Sequence, residues 1–152
     1  MTKALVIYHS QEFGNTQKMA EAVAEGLKEA GCEYMLFNTN EDRFDVPTLA
    51  HFDCVAIGSP DYFSYVAGGL KTFIDDHYVH DVRKSTEGIK GKPYVLFYSH
   101  GGGGRVKDAM VKLFSRIGSL IGEPLGSYGA PNAETIARCK ELGRRLASAV
   151  KK

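Results

Sequence analysis

What most constrains this chain is a repeated change of hydrophobic period. Short runs in which every residue is apolar alternate with longer stretches whose apolar residues recur at helical spacing. Ala4-Leu5-Val6-Ile7-Tyr8 is a run of strand length, and Met19, Ala20, Val23, Ala24 and Leu27 follow on one helical face, with Gly31 as the stop. Tyr34 to Phe37 makes a second strand, after which Asp45-Val46-Pro47 opens a short helix through Leu49 and Phe52 with proline in its first turn. Cys54 to Ile57 is the third strand and stops at Gly58-Ser59-Pro60. A helix over about 68–78 and a looser segment through Gly88 and Gly91 lead to a fourth strand, Tyr94 to Tyr98, which Gly101 to Gly104 break off. Met110, Leu113, Phe114 and Ile117 share one face of a helix over about 106–117. Pro124 to Tyr128 carries the faintest strand signal, and 133–150 is the last helix.

Strands that are apolar throughout, rather than alternating, are buried on both sides, so the pattern predicts an α/β fold: five parallel strands with helices on both faces. Right-handed crossovers then make it doubly wound. With 152 residues, 43% of them hydrophobic, the chain has material for one core and too little length for two, so one domain over 1–152 is expected. No run reaches the roughly 18 to 20 apolar residues of a membrane span, and the N-terminus lacks a basic stretch followed by an apolar signal core. A cytoplasmic protein without membrane insertion is the expectation. Cys32, Cys54 and Cys139 are scattered without a C-x-x-C, which points to buried small side chains rather than disulfides or a metal site. His77 and His80 stand one helical turn apart among Asp75, Asp76 and Asp81, a spacing metals can use, but the cluster reads as a solvated helix end and no metal is expected.

The formal charge of +1 gives no electrostatic footprint for nucleic acid. It hides a division: residues 1–80 carry 5 Lys/Arg against 12 Asp/Glu, and residues 81–152 carry 14 against 6. Acidic helices lying beside basic ones account for this more simply than a basic docking face.

Ligands of such a sheet sit beyond the carboxyl ends of the strands where strand order reverses, which directs attention to the loops after strands one, three and four. The first, Ser10 to Thr16, is rich in hydroxyls, amides and glycine and has no cationic side chain. At a helix N-terminus, Ser10, Asn15, Thr16 and main-chain amides can hold a phosphate without Lys or Arg; alternatively Ser10 or Asn15 only caps the helix. The second, Gly58 to Tyr65, sets Tyr62, Phe63 and Tyr65 in a polar stretch where a flat ring could stack, although Phe63 or Tyr65 is expected to pack onto the next helix. The third, Ser99-His100 followed by four glycines, lets a backbone approach a ligand closely. A phosphate at one end and a planar ring at the other outline flavin mononucleotide, FMN.

At these residues the chain resembles the flavodoxin family, a known instance of the reversal-point rule, in its short-chain form. The resemblance covers essentially the whole chain. Val6-Ile7-Tyr8, Ser10, Gly14-Asn15-Thr16 and Ala20 look like the family's phosphate loop, and Gly58-Ser59-Pro60 and Ser99 to Gly104 look like its two flavin loops. It implies strand order 2-1-3-4-5, noncovalent FMN and low-potential electron transfer with redox partner proteins. The implied cofactor-binding residues are Ser10, Gln11, Phe13, Gly14, Asn15 and Thr16; Ser59, Pro60, Asp61, Tyr62 and Phe63; and Ser99, His100, Gly101, Gly102, Gly103 and Gly104. No side chain is assigned as catalytic, since the flavin does the chemistry. Backbone near Asp61 and Tyr62 is the candidate partner of flavin N5, and the glycine amides with His100 or Arg105 are candidates to stabilise charge on the reduced ring.

Three departures bear on function. One extra residue lies between Ser10 and Gly14, and Glu12, an awkward neighbour for a phosphate, is expected to point outward. The glycine run offers no aromatic cover for the ring, and the near-neutral charge is unlike strongly acidic carriers. An exposed ring face is similar to that of FMN-dependent NAD(P)H:quinone oxidoreductases, which makes that enzyme, with a small quinone and NAD(P)H as partners, the alternative. Carriage is preferred because no sizeable insertion follows the fourth strand. The absence of G-x-G-x-x-G, of a P-loop, of G-x-S-x-G and of an acidic pair after the first strand argues against a dinucleotide fold, an NTPase, a hydrolase and a receiver module.

Overall fold

The computed structural model describes residues 1–151. Strand β1 (Lys3–Tyr8) lies between β2 (Glu33–Asn38) and β3 (Cys54–Pro60), with Val6 opposite Leu36 on one side and Ala56 on the other. β3 pairs in turn with β4 (Lys92–His100), and every pairing is parallel. The order is β2-β1-β3-β4 followed by a fifth position, as the resemblance implies, so the chain runs outward from β1 to β2 and then returns past β1. That return places the reversal point between β1 and β3.

The fifth position holds two strands where one was expected. β5 (Gly118–Leu120) pairs with Lys92–Tyr94, and β6 (Leu125–Tyr128) pairs with Phe97–His100. Gly122 at φ 70° and Pro124 divide them, and a three-residue strand beginning with glycine leaves almost no apolar run to read.

Helices α1 (Asn15–Glu29) and α4 (Ala133–Ala149) cover one face, over a core of Val6, Met19, Val23, Leu27, Phe97 and Leu146. Helices α2 (Gly68–Tyr78) and α3 (Val106–Leu113), with the 3-10 turn Val46–His51, cover the other over Leu5, Ile7, Leu49, Ile57, Phe73, Leu96 and Phe114. α1 and α4 touch backbone to backbone. A Cβ on Gly26 would lie 1.9 Å from the Lys140 carbonyl oxygen, and one on Gly143 would lie 2.2 Å from that of Val23. Glycine inside a helix costs about 0.5–1 kcal/mol, so closeness of packing is what these positions gain in exchange.

Two further expectations need correction. The helix over 106–117 is α-helical only to Leu113 and finishes as a 3-10 turn, Phe114–Ile117. The end of α2 is solvated only in part: His77 is fully buried and donates Nε2–H to the Ile89 carbonyl at 2.9 Å, and the chain continues as a π-helical turn, Val79–Arg83. Burial holds the His77 pKa below its ordinary value. Asp75, Asp76 and Asp81 are held by Lys71, by Arg43, and by Lys90 with Arg116. All three cysteines are free and buried, and burial pushes the Cys139 thiol up to about 12. Among the described residues no helix is long and apolar enough to cross a membrane.

Candidate functional site

The first loop leaves β1 at the reversal point. The His9 N–H continues the ladder to the Gly58 carbonyl, and Ser10 is then gripped by a side chain in place of a strand. The Asn38 amide donates to the Ser10 carbonyl at 2.9 Å and accepts from the Ser10 N–H at 3.1 Å, doing what one more residue of β2 would do. His9 is buried, with Nδ1 taking the Thr39 hydroxyl at 3.0 Å and Nε2 donating to Gln11 Oε1, so the loop is fixed from beneath.

Gly14, at φ 75°, turns the chain into α1, which has no side-chain cap. Neither Ser10 nor Asn15 therefore serves as a helix cap. The first helical bond runs from the Lys18 N–H to the Gly14 carbonyl, leaving the amides of Asn15, Thr16 and Gln17 without an intrahelical acceptor. Thr16 points inward, its hydroxyl 2.8 Å from that of Ser99, which ties the first loop to the third.

In the second loop, the Ser59 hydroxyl is buried, donating to the Pro60 carbonyl and accepting from the Ala67 N–H, so it faces the chain and not a ligand. The Asp61 N–H donates to the Ser99 carbonyl, and Tyr62 and Tyr65 exchange both main-chain bonds across a two-residue turn. The turn residues Phe63 and Ser64 both have left-handed φ, 57° and 65°, in a conformation that ordinarily selects Asn or Gly. Pro60 has no N–H, and those of Asp61 and Tyr62 are occupied, while the Asp61 carbonyl has no donor among the described residues. This loop therefore presents an acceptor. Neither Phe63, which is wholly exposed, nor Tyr65 packs down as expected; the half-buried aromatic is Tyr62, edge-on to His9 at 6.1 Å. Burial, and secondarily the Glu12 carboxylate, raises the Tyr62 phenol above its ordinary pKa and keeps it a neutral donor.

In the third loop Gly103 and Gly104 adopt left-handed φ, and Gly104 packs behind the rings of Tyr98 and His100. His100 lies between Tyr98 and Tyr128, and its Nδ1 is buried with no partner among the described residues. Such an atom calls for a hydrogen-bonding ligand.

The loops converge on a cleft of about 350 Å³ lined by Ser10 to Thr16, Pro60, Asp61, Tyr62, Ser99, His100, Gly101 and Gly129. A second, of about 480 Å³, shares Asp61 and Gly101 and adds Phe63, Ser64, Gly102, Gly103 and Arg105. The sequence-derived residues thus assemble at one rim, with Ser59 and Gly104 behind it and Phe63, Gly102 and Gly103 on the neighbouring cleft. Arg105 is also on that neighbour, and His100 lines the first cleft. Glu12 is solvent-exposed yet stands on the wall. Gly129, in the loop after β6, also lines the cleft with no local motif to mark it; its N–H donates to the His100 carbonyl at 2.7 Å.

This donor set fits FMN: uncapped helix amides for an anion at one end, and the Asp61 carbonyl, the Tyr62 phenol and the orphaned His100 Nδ1 for the edges of a heteroaromatic ring.

Comparison with known proteins agrees. The family model for the flavodoxin domain matches residues 5–102. A flavodoxin of Aquifex aeolicus is 34% identical over 97% of this chain and 86% of its own length. An NAD(P)H dehydrogenase (quinone) of Archaeoglobus fulgidus is 28% identical over 100% and 99%. A nitric oxide reductase of Moorella thermoacetica is 32% identical over 97% of this chain, which spans only 36% of that protein. The solution structure of two-electron reduced Megasphaera elsdenii flavodoxin superimposes with a TM-score of 0.75 at 27% identity, covering 95% of this chain and 99% of that one. The match over residues 5–102, on a sheet whose strand order the resemblance implied, places the chain in the flavodoxin family: it is an electron-transfer protein whose cofactor is FMN.

Proposed function

We propose that the chain acts as one flavodoxin-like domain over residues 1–152, holds FMN in the first cleft and passes electrons between redox partner proteins of the cytoplasm. One observation carries the reading: the uncapped amino end of α1 opens on the same cleft as a free carbonyl of the second loop and a buried, partnerless imidazole nitrogen of the third. Bound FMN supplies one- and two-electron redox chemistry. The amides of Asn15, Thr16 and Gln17, with Ser10, Gln11 and Gly14, receive the phosphate. The Asp61 carbonyl, Tyr62, Ser99, His100 and Gly101 would hold the ring, the carbonyl as an acceptor. The charged groups lining this cleft, among the described residues, are the carboxylates Glu12 and Asp61, which disfavour negative charge on a reduced ring and support a low potential.

The test is to titrate FMN into the apoprotein and follow the visible spectrum. Tight stoichiometric binding is expected, and no binding overturns the proposal. The quinone oxidoreductase reading draws on a separate observation: Gly101 to Gly103 leave the second cleft open beside the first. Steady-state oxidation of NADH or NADPH with a quinone separates the two readings. A carrier turns over only with an added reductase, whereas rapid turnover by the protein alone selects the enzyme.

A further inference from the structure

β2 ends the sheet in a way that folded proteins ordinarily avoid. It is the outermost strand, and its pairing with β1 runs from Glu33 to Asn38 without a bulge. The strand reads Glu-Tyr-Met-Leu-Phe-Asn, with no lysine or proline to blunt the edge, and Tyr34, Met35 and Leu36 are exposed one after another. The Glu33 N–H donates to the Thr2 carbonyl and the Thr39 N–H to that of Tyr8, so Glu33, Met35 and Phe37 spend their main-chain groups on β1. Those of Tyr34 and Leu36 therefore point outward, and among the described residues no loop takes them. Tyr34 and Leu36 lie on the α1 face of the sheet, opposite Ala4 and Val6, and Met35 lies on the other face, opposite Leu5.

From this edge we infer that the chain pairs with a second copy of itself, β2 against β2, antiparallel about a two-fold axis through Met35. A two-fold perpendicular to the sheet keeps each face continuous, so residues that stand opposite one another must share a face. With Met35 on the axis, Tyr34 stands opposite Leu36 of the second copy and exchanges both main-chain bonds with it, and the converse pair does the same. Every exposed apolar side chain of the strand then meets an apolar one. An axis at Leu36 would set Tyr34 opposite Asn38, whose carbonyl already accepts from the Glu41 N–H, and an axis at Tyr34 would set Leu36 opposite Cys32, whose N–H is already given to Leu27. Charge fits the same axis. Gly26 and Glu29 mark the flank of α1 that faces α4, so Glu21 and Lys28, both exposed, lie on the other flank, towards the open edge. α1 runs antiparallel to β2, with Glu21 nearer the Asn38 end of the strand and Lys28 nearer the Glu33 end. The two-fold exchanges those ends and brings Lys28 of each copy towards Glu21 of the other.

The full chain is followed by sedimentation velocity from about 1 to 500 μM, the range in which a small interface saturates. A monomer–dimer equilibrium is expected. Met35→Lys sets two ammonium groups face to face across the axis and weakens the dimer by about tenfold, and Met35→Glu does the same with two carboxylates. An equimolar mixture of the two variants re-forms a dimer, which excludes misfolding as the cause of the loss. Oxidative cross-linking of Met35→Cys tests the register. On the axis the Cα atoms of a non-hydrogen-bonded pair stand about 4.5 Å apart, within reach of a disulfide. This variant therefore cross-links about tenfold faster than Leu36→Cys, whose own copy lies two residues further along the strand, beyond the roughly 7 Å that a disulfide spans. A monomer throughout the concentration range overturns the inference and leaves the edge to a strand of another protein. A dimer undiminished in Met35→Lys, or equal cross-linking at positions 35 and 36, overturns it by placing the contact elsewhere.

Discussion

Replacing Gly143 with alanine should destabilise the protein although it improves local helix propensity. Gly143 lies inside α4, where an alanine is worth about 1 kcal/mol more than glycine. Its new methyl, however, would stand 2.2 Å from the Val23 carbonyl oxygen and 2.9 Å from the Leu27 nitrogen, both backbone atoms of α1 that no rotamer can move. Relieving that contact requires the helices to part by roughly 1 Å, which forfeits up to about half of the dispersion energy along the seam. Overpacking of this kind costs about 1–3 kcal/mol. Net of propensity, we expect Gly143→Ala to lose up to about 2 kcal/mol, seen as a melting temperature lower by up to about 8 °C. Gly26→Ala, aimed at the Lys140 carbonyl from the other helix, should behave alike. The double variant should lose less than the sum, since helices already parted accept the second methyl more easily. Urea unfolding followed by circular dichroism measures all three. A Gly143→Ala protein more stable than wild type by about 1 kcal/mol would refute the close-approach argument and leave propensity as the whole effect.

Three other outcomes are expected. Riboflavin, lacking the phosphate, should bind the apoprotein about a thousandfold more weakly than FMN, the equivalent of two or so charge-assisted bonds at the α1 amides; equal affinities in a fluorescence titration would remove the phosphate from that seat. Because burial lowers the pKa of folded His77 below the ordinary 6.5, the unfolded chain binds the proton first. The His77 contribution is therefore complete above about pH 6.5 and is lost as pH falls below it, and His77→Gln should show a shallower decline in urea stability between about pH 7 and 5. Thr16→Val should cost about 1–2 kcal/mol by leaving the Ser99 hydroxyl buried without its partner, and an unchanged unfolding midpoint would contradict the role given to that bond.

The parts of this molecule that could be read from sequence are those fixed by burial on two faces. Val6, Ile57 and Leu96 sit in uninterrupted apolar runs because helices cover both sides of their strands. The three loops were legible because the reversal of strand order dictates where ligands go. What escaped was decided by contacts between distant segments. Ser59 looked like a ligand donor but spends its hydroxyl on Pro60 and Ala67. His77 looked solvated until the 84–91 segment folded over it and offered the Ile89 carbonyl. Gly26 and Gly143, 117 positions apart in the chain, have meaning only as a pair. The acceptor character of the second loop follows from hydrogen bonds to Ser99 and Tyr65 that local composition does not encode.

The grip of Asn38 on Ser10 has an energetic corollary. β2 is the outermost strand on its side of the sheet, with Tyr34, Met35 and Leu36 exposed, so it is a place where opening fluctuations begin. Its last residue nevertheless anchors the loop proposed to receive the phosphate, so fraying at this margin and ligand affinity are thermodynamically linked. By reciprocity, saturating the cleft must slow amide hydrogen exchange along Leu36 to Asn38, residues that are not part of the cleft lining.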